Sequence, residues 1–220
     1  MAVFIESALE SAIAELLVRQ GYRHCLGSEL MRSKREVVLR DVLATSLQAR
    51  YQKQGITSEE LMRAADRLCA TPEGNLYDAN RATHSLITEG FFLSREDSSL
   101  PDLYIRPIDW EDAENNDFCL VTQLEVQGTE FRRPDGVLYV NGLPLVVLEF
   151  KSAVREEATL AEAHRQVTVR YGRDIPELMR FAAFVVLSDG VNRIVSMAHS
   201  SHPTITSTAG LNETLQTKPL

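Results

Sequence analysis

Residues 136 to 151, GVLYVNGLPLVVLEFK, leave this chain few folds to choose from. Asn141-Gly142 tolerates positive φ and closes a hairpin between two strand-forming runs, Gly136 to Val140 and Leu143 to Leu148. The second run is apolar on both faces, so it belongs in the middle of a sheet that is covered on both sides. It then ends in Glu149-Phe150-Lys151. Because side chains alternate along a strand, Glu149 and Lys151 share one face while Phe150 points into the opposite core. Pro134-Asp135 opens the partner strand at about the same height.

Register decides whether the two acids meet. A strict two-residue turn pairs Val140 with Leu143, sets Asp135 opposite Leu148 and leaves Asp135 and Glu149 on opposite faces. One extra residue sets Asp135 directly across from Glu149. The second arrangement is predicted, with Pro134 or Gly142 absorbing the irregularity. Two carboxylates within ~5 Å, with a lysine beside them at the end of a buried strand, make a poor solvated surface and a good site for a hard cation such as Mg²⁺. A structural ion pair of Lys151 with Glu149 or Asp135 accounts for the same three residues.

Charge narrows the function. The chain carries 31 acids against 23 bases, a net charge of −8. Phosphate neutralisation supplies most non-specific affinity for DNA, so a chain like this that cuts DNA needs something else to hold the DNA for it. There is no GxxxxGK[ST] loop to cradle ATP phosphates. No apolar run approaches the ~20 residues of a membrane span and no signal peptide opens the chain, which predicts a cytoplasmic protein with no membrane association. Cys25, Cys69 and Cys119 are scattered without zinc-like spacing and read as small core residues.

Residues 3 to 20 read as an amphipathic helix with Leu9, Ile13, Leu16 and Leu17 on its apolar stripe. Glu10 lies at the rim of that stripe, either solvated or reaching inward toward a metal. Further helices are predicted over Lys34 to Gln52, from Thr57 to about Cys69, and over Asn80 to Thr88. The middle one is signed by a Thr57/Glu60 capping box and an Ile56/Leu61 staple. Together, residues 22 to 90 read as a helical insertion. Phe118 to Gln127 alternates as a strand, and Arg132 and Arg133 then precede Pro134, within reach of a phosphate or of the local acids. Thr159 and Glu162 cap a crossover helix ending near Gly172, Phe181 to Leu187 is a second doubly apolar strand, and Ser188-Asp189-Gly190 is a turn. This order gives an α/β core with a mixed central sheet flanked by helices. Residues 199 to 220, rich in Thr, Ser and Pro, read as a loose tail.

Five segments carry a resemblance to a known family: Asn115-Asn116-Asp117-Phe118, Arg133-Pro134-Asp135, Val140 through Val147 with Glu149 and Lys151, Tyr171 through Leu178, and Ser188-Asp189-Gly190. Over about residues 6 to 192 the chain resembles the N-terminal endonuclease domain of the restriction (R) subunit of type I restriction-modification enzymes, the HsdR family. The resemblance implies a PD-(D/E)xK restriction-endonuclease-like core spanning residues 1 to 198. It implies that Asp135 and Glu149 hold Mg²⁺, which Mn²⁺ can replace, with help from the Phe150 carbonyl. Glu10 would be the outer helical acid, acting directly or through water, and Lys151 would orient or activate the attacking water. Arg133, Gln166 and Tyr171 would be accessory. The last two stand where the family carries a glutamine-tyrosine motif, here with four residues between them where three are common. The family acts on double-stranded DNA together with methylation and specificity subunits, and uses ATP in a helicase-like motor that is absent from this chain. The chain alone is therefore expected to be weak or inactive on DNA. Two rival readings are a non-catalytic fragment that docks to other subunits and a free-standing repair-type nuclease; the acidic balance counts against the latter.

Overall fold

The computed structural model describes residues 6–150, 160–188, 192–197 and 204–207. The chain opens with helix α1 (Glu6–Arg19), strand β1 (Arg23–Leu26), and helices α2 (Arg40–Tyr51), α3 (Ser58–Cys69) and α4 (Leu76–Thr88). Strands β2 (Phe91–Leu93), β3 (Leu103–Ile105), β4 (Phe118–Thr122), β5 (Val126–Gln127), β6 (Phe131–Arg132), β7 (Gly136–Val140) and β8 (Leu143–Phe150) follow. Helices α5 (Leu160–Asp174) and α6 (Pro176–Phe181) then lead to β9 (Phe184–Ser188), β10 (Asn192–Met197) and β11 (Thr204–Ser207).

Seven strands form one mixed sheet in the order β1-β4-β7-β8-β9-β10-β11. β8 and β9 run parallel, with α5 and α6 as their crossover, and β1 runs parallel to β4; the other neighbours are antiparallel. This is the α/β class with a mixed sheet that the element order implies. β8 sits fourth of the seven, covered on both faces. On one face α1 packs Leu9 and Ala14 over Leu120, Leu148 and Phe150. On the other, residues of α2, α3, α5 and α6 cover Val121, Val137, Tyr139, Val147 and Val185. Alternation therefore holds at the end of β8: Phe150 enters the α1 core, and Glu149 lies on the face of Val147, toward α5. Among the described residues no helix is long and apolar enough to cross a membrane.

The hairpin has the register that brings the acids together. Gly136, Val137 and Leu138 pair with Leu148, Val147 and Val146, after which Tyr139 pairs with Pro144 and Val140 with Leu143. The extra residue is Leu145, not Pro134 or Gly142 as expected from the sequence. Pro144 has no N–H to give the ladder, and the Leu145 carbonyl accepts instead from Ala183 N–H at 2.8 Å, on the β9 side.

The turn itself is locked from outside. Asn141 and Gly142 have φ of 50° and 80°. Asn141 is only 2% exposed, and its side chain accepts from Asp117 N–H at 2.7 Å and donates to Pro107 O and Asn116 Oδ1, both at 2.8 Å. Gly142 O accepts from Leu39 N–H at 2.9 Å, and a Cβ on Gly142 would lie 2.4 Å from Leu39 O. Left-handed backbone and overpacking therefore act together on any side chain here, so Gly142→Ala should cost about 3 kcal/mol in urea unfolding. A midpoint unchanged from the parent would contradict this docking of the turn on α2.

Several boundaries differ from the sequence reading. α2 starts at Arg40 rather than Lys34: residues 34 and 35 form a turn, Val37 and Val38 are buried ahead of the helix, and the Leu39 N–H is bonded to the hairpin turn. Arg23–Leu26, inside the span read as a helical insertion, is a strand. α4 begins at Leu76, where Asn75 caps it by accepting from Asp78 N–H at 3.0 Å. The strand from Phe118 stops at Thr122, because Gln123 turns to φ 54°. Pro176 starts the extra helix α6, so the next strand begins at Phe184 rather than Phe181. Thr204–Ser207, in the stretch read as a loose tail, pairs antiparallel with β10. Leu16 is exposed rather than in the stripe of α1. The Thr57 cap stands as expected, with Thr57 and Glu60 bonded reciprocally at 3.1 and 3.0 Å. The Thr159/Glu162 cap and the Asp189-Gly190 turn lie outside the described residues.

One buried contact ties the crossover helix to the sheet and sets a pH dependence. His164 of α5 meets Ser196 Oγ of β10 through Nε2 at 2.7 Å, and both side chains are buried. Burial pushes the imidazole below its ordinary value, against a smaller opposing effect of a hydrogen bond to the Val185 backbone. The unfolded chain then binds this proton more tightly, so stability should be full above the unfolded value of about 6.5 and fall as the pH drops through and below it. Melting temperatures at pH 7.5 and 5.5 check this, and His164→Gln should flatten the difference.

Candidate active site

The next position outward from the Gly136–Leu148 pair sets Asp135 across from Glu149. Asp135 is half-buried, and its Oδ2 accepts from Phe150 N–H at 2.7 Å, so the acid itself ties the two strand ends together. The Asp135 carbonyl accepts from Gln123 N–H at 3.1 Å, which fixes it to the end of β4 as well.

Glu149 is 5% exposed. A carboxylate at this depth needs compensation from donors, an amine or a cation. One donor is Tyr171 of α5, also buried, whose hydroxyl bonds Glu149 Oε1. Burial first, then the charge and hydrogen bond of Glu149, and the charge of Asp135 after them, push the phenol far above its ordinary range. It therefore stays protonated and remains a donor. The hairpin register, continued outward by one pair, is what sets Asp135 and Glu149 on the same side of the sheet end.

Glu10 is half-buried on α1, at the rim where its helical spacing puts it. Its two oxygens both accept from Gln123 Nε2, at 3.0 and 2.9 Å. Among the described residues, no three acids, histidines or cysteines form a cluster able to hold a metal, so Glu10 is held by Gln123 rather than joined to Asp135 and Glu149 in one cage. Arg133 is exposed, two residues before Asp135, while Arg132 is ion-paired with Asp174 rather than left for a phosphate. Lys151 and the side chain of Gln166 lie outside the described residues. Gln123 was not singled out by the sequence reading; the signal for it is a polar residue closing an apolar strand, at a height set by the Asp135 hairpin.

The donor set fits a small divalent cation. Two carboxylates from neighbouring strands offer hard oxygen ligands, and an incomplete protein cage suits Mg²⁺, which keeps several waters. A soft metal would call for thiolate or imidazole, and the described residues bring neither to Asp135 and Glu149.

Comparison with known sequences identifies the family. The family model described as "Type I restriction enzyme R protein N terminus" matches residues 4–199. The type I restriction enzyme HindI endonuclease subunit of Haemophilus influenzae is 34% identical over 121 residues, covering 54% of this chain and 11% of that subunit. The type I restriction enzyme EcoprrI endonuclease subunit of Escherichia coli is 24% identical over 196 residues, covering 85% of this chain and 56% of its own length. The type I restriction enzyme SauCOLORF180P endonuclease subunit of Staphylococcus aureus is 25% identical over 193 residues, 87% of this chain and 19% of that subunit. The chain thus spans from about a tenth to a little over half of these relatives.

Proposed function

Because the chain belongs to the family of type I restriction enzyme R protein N termini, we propose that it is the Mg²⁺-dependent endonuclease domain of a type I restriction enzyme. It hydrolyses phosphodiester bonds in double-stranded DNA that an ATP-driven motor translocates. The observation that carries the reading is the hairpin register, which runs outward from Gly136–Leu148 to set Asp135 across from Glu149, with Tyr171 bonded to Glu149.

Asp135 and Glu149 hold the cation, with the Phe150 carbonyl as a further oxygen ligand and Mn²⁺ as a working substitute. When bound, the cation lowers the pKa of a water and offsets charge that develops on the phosphate. Tyr171 fixes the rotamer of Glu149, and the Phe150 N–H fixes that of Asp135. Glu10 acts from α1 through a water, Lys151 orients the attacking water, and Arg133 approaches the phosphate. Gln166 supports the site from α5. With a net charge of −8, the chain relies on methylation and specificity subunits and on the motor to present DNA.

The test is DNA cleavage by the assembled complex with the site residues replaced one at a time, scored beside ATP hydrolysis. Loss of cutting with hydrolysis retained supports the reading. Cutting that survives rejects it in favour of a docking role.

A further inference from the structure

We infer that Gln123 is a positioning residue for Glu10, coupling α1 to the strand end that carries Asp135. The inference rests on reading Asp135 and Glu149 as the metal-binding acids. It starts from a backbone that glutamine rarely adopts: φ at Gln123 is 54°, a left-handed value natural to glycine. Such a conformation persists only where its surroundings over-determine it. Here they do so from two sides. Gln123 N–H is bonded to the Asp135 carbonyl at 3.1 Å, and Gln123 O is packed so close to Gly27 that a Cβ there would lie 2.5 Å away.

Glycine would occupy position 123 without strain, so the side chain must bring something that glycine lacks. It brings Nε2, which donates to both oxygens of Glu10 at 3.0 and 2.9 Å. The left-handed turn is also what makes this contact possible. Leu120 packs in the α1 core and Val121 in the core on the other face, so an unbroken strand would point residue 123 away from α1. The turn releases the side chain from that alternation. A neutral amide then orients Glu10 without cancelling its charge. One residue thereby holds an outer acid by its side chain and an inner acid by its backbone, so the spacing of α1 from the hairpin is transmitted to the site. Partners of this kind set metal affinity without touching the metal.

Mn²⁺ titration calorimetry on this chain tests it, comparing Gln123→Gly, Glu10→Gln, their double variant and Glu149→Ala, with melting curves for each. Gln123→Gly removes the amide and relieves the backbone, so it should melt at or above the parent temperature while binding Mn²⁺ about 10- to 100-fold more weakly. Glu10→Gln should weaken binding similarly, and the double variant no further. Without metal, the side-chain amide NMR signals of Gln123 should move on Glu10→Gln. An affinity for Gln123→Gly within twofold of the parent, unmoved amide signals or an unfolded Gln123→Gly would each overturn the inference, and if Glu149→Ala still abolishes binding, the site reading stands. If the parent binds no Mn²⁺, or Glu149→Ala binds it as the parent does, the site reading fails and the inference falls with it.

Discussion

Glu149→Ala is expected to lower DNA cleavage by the assembled complex roughly 10³-fold or more while ATP hydrolysis continues. A bound cation contributes several kcal/mol of charge stabilisation in the transition state, and each ~1.4 kcal/mol is tenfold in rate. Removing one of two protein carboxylates takes most of that away, because Asp135 alone binds a strongly hydrated ion weakly. The substitution also leaves the Tyr171 hydroxyl without its acceptor on Glu149, a smaller loss. Asp135→Ala should match it in rate and differ in fold, since the bond from Phe150 N–H that ties β7 to β8 goes as well. Circular dichroism on the same preparations separates lost chemistry from lost structure. Cutting by Glu149→Ala within threefold of the parent would contradict the assignment.

The second large effect lies far from the acids. Arg95→Ala should destabilise the fold by about 3–5 kcal/mol, because it strands a buried charge. Glu60, at the start of α3, is fully buried, and Arg95 Nε donates to its Oε1 at 2.9 Å. Arg95 also donates to Gln54 O at 3.0 Å and to Gly55 O at 2.9 Å. Burial raises the Glu60 carboxyl, but donors from the Thr57 and Glu96 backbones and from Arg95 outweigh it and hold the group below the usual carboxylate range. That contribution is present at neutral pH and is lost as pH falls through the depressed value. Urea unfolding at pH 7 measures the loss, and a change under ~1 kcal/mol would mean water reaches Glu60. Because α3 residues share the core with Val121, Val137 and Tyr139, cleavage should fail with the fold, without change to any site residue.

What could be read from the sequence was governed by rules that act over a few residues. Alternation put Glu149 and Phe150 on opposite faces, and positive φ put the turn at Asn141-Gly142. The need for two carboxylates to meet chose the register, and the Thr57 box marked the start of α3. What could not be read depends on partners far along the chain. The bulge went to Leu145 because Ala183 takes its carbonyl. β1 is four residues of mostly exposed side chains, and only its pairing with Cys119 through Thr122 makes it a strand. Asp135, Glu149 and Tyr171, which the register and one hydrogen bond bring together, had been named from motif residues. Gln123 was not, because its conformation is imposed by Gly27 and Asp135 and its side-chain partner lies on α1.

Metal-dependent cleavage here requires one ion between Asp135 and Glu149. Crystals soaked in Mn²⁺ and measured for anomalous scattering should show a peak about 2.0–2.3 Å from an oxygen of each carboxylate. An ordered hairpin with no peak there, at Mn²⁺ concentrations that support cleavage by the assembled complex, would contradict it.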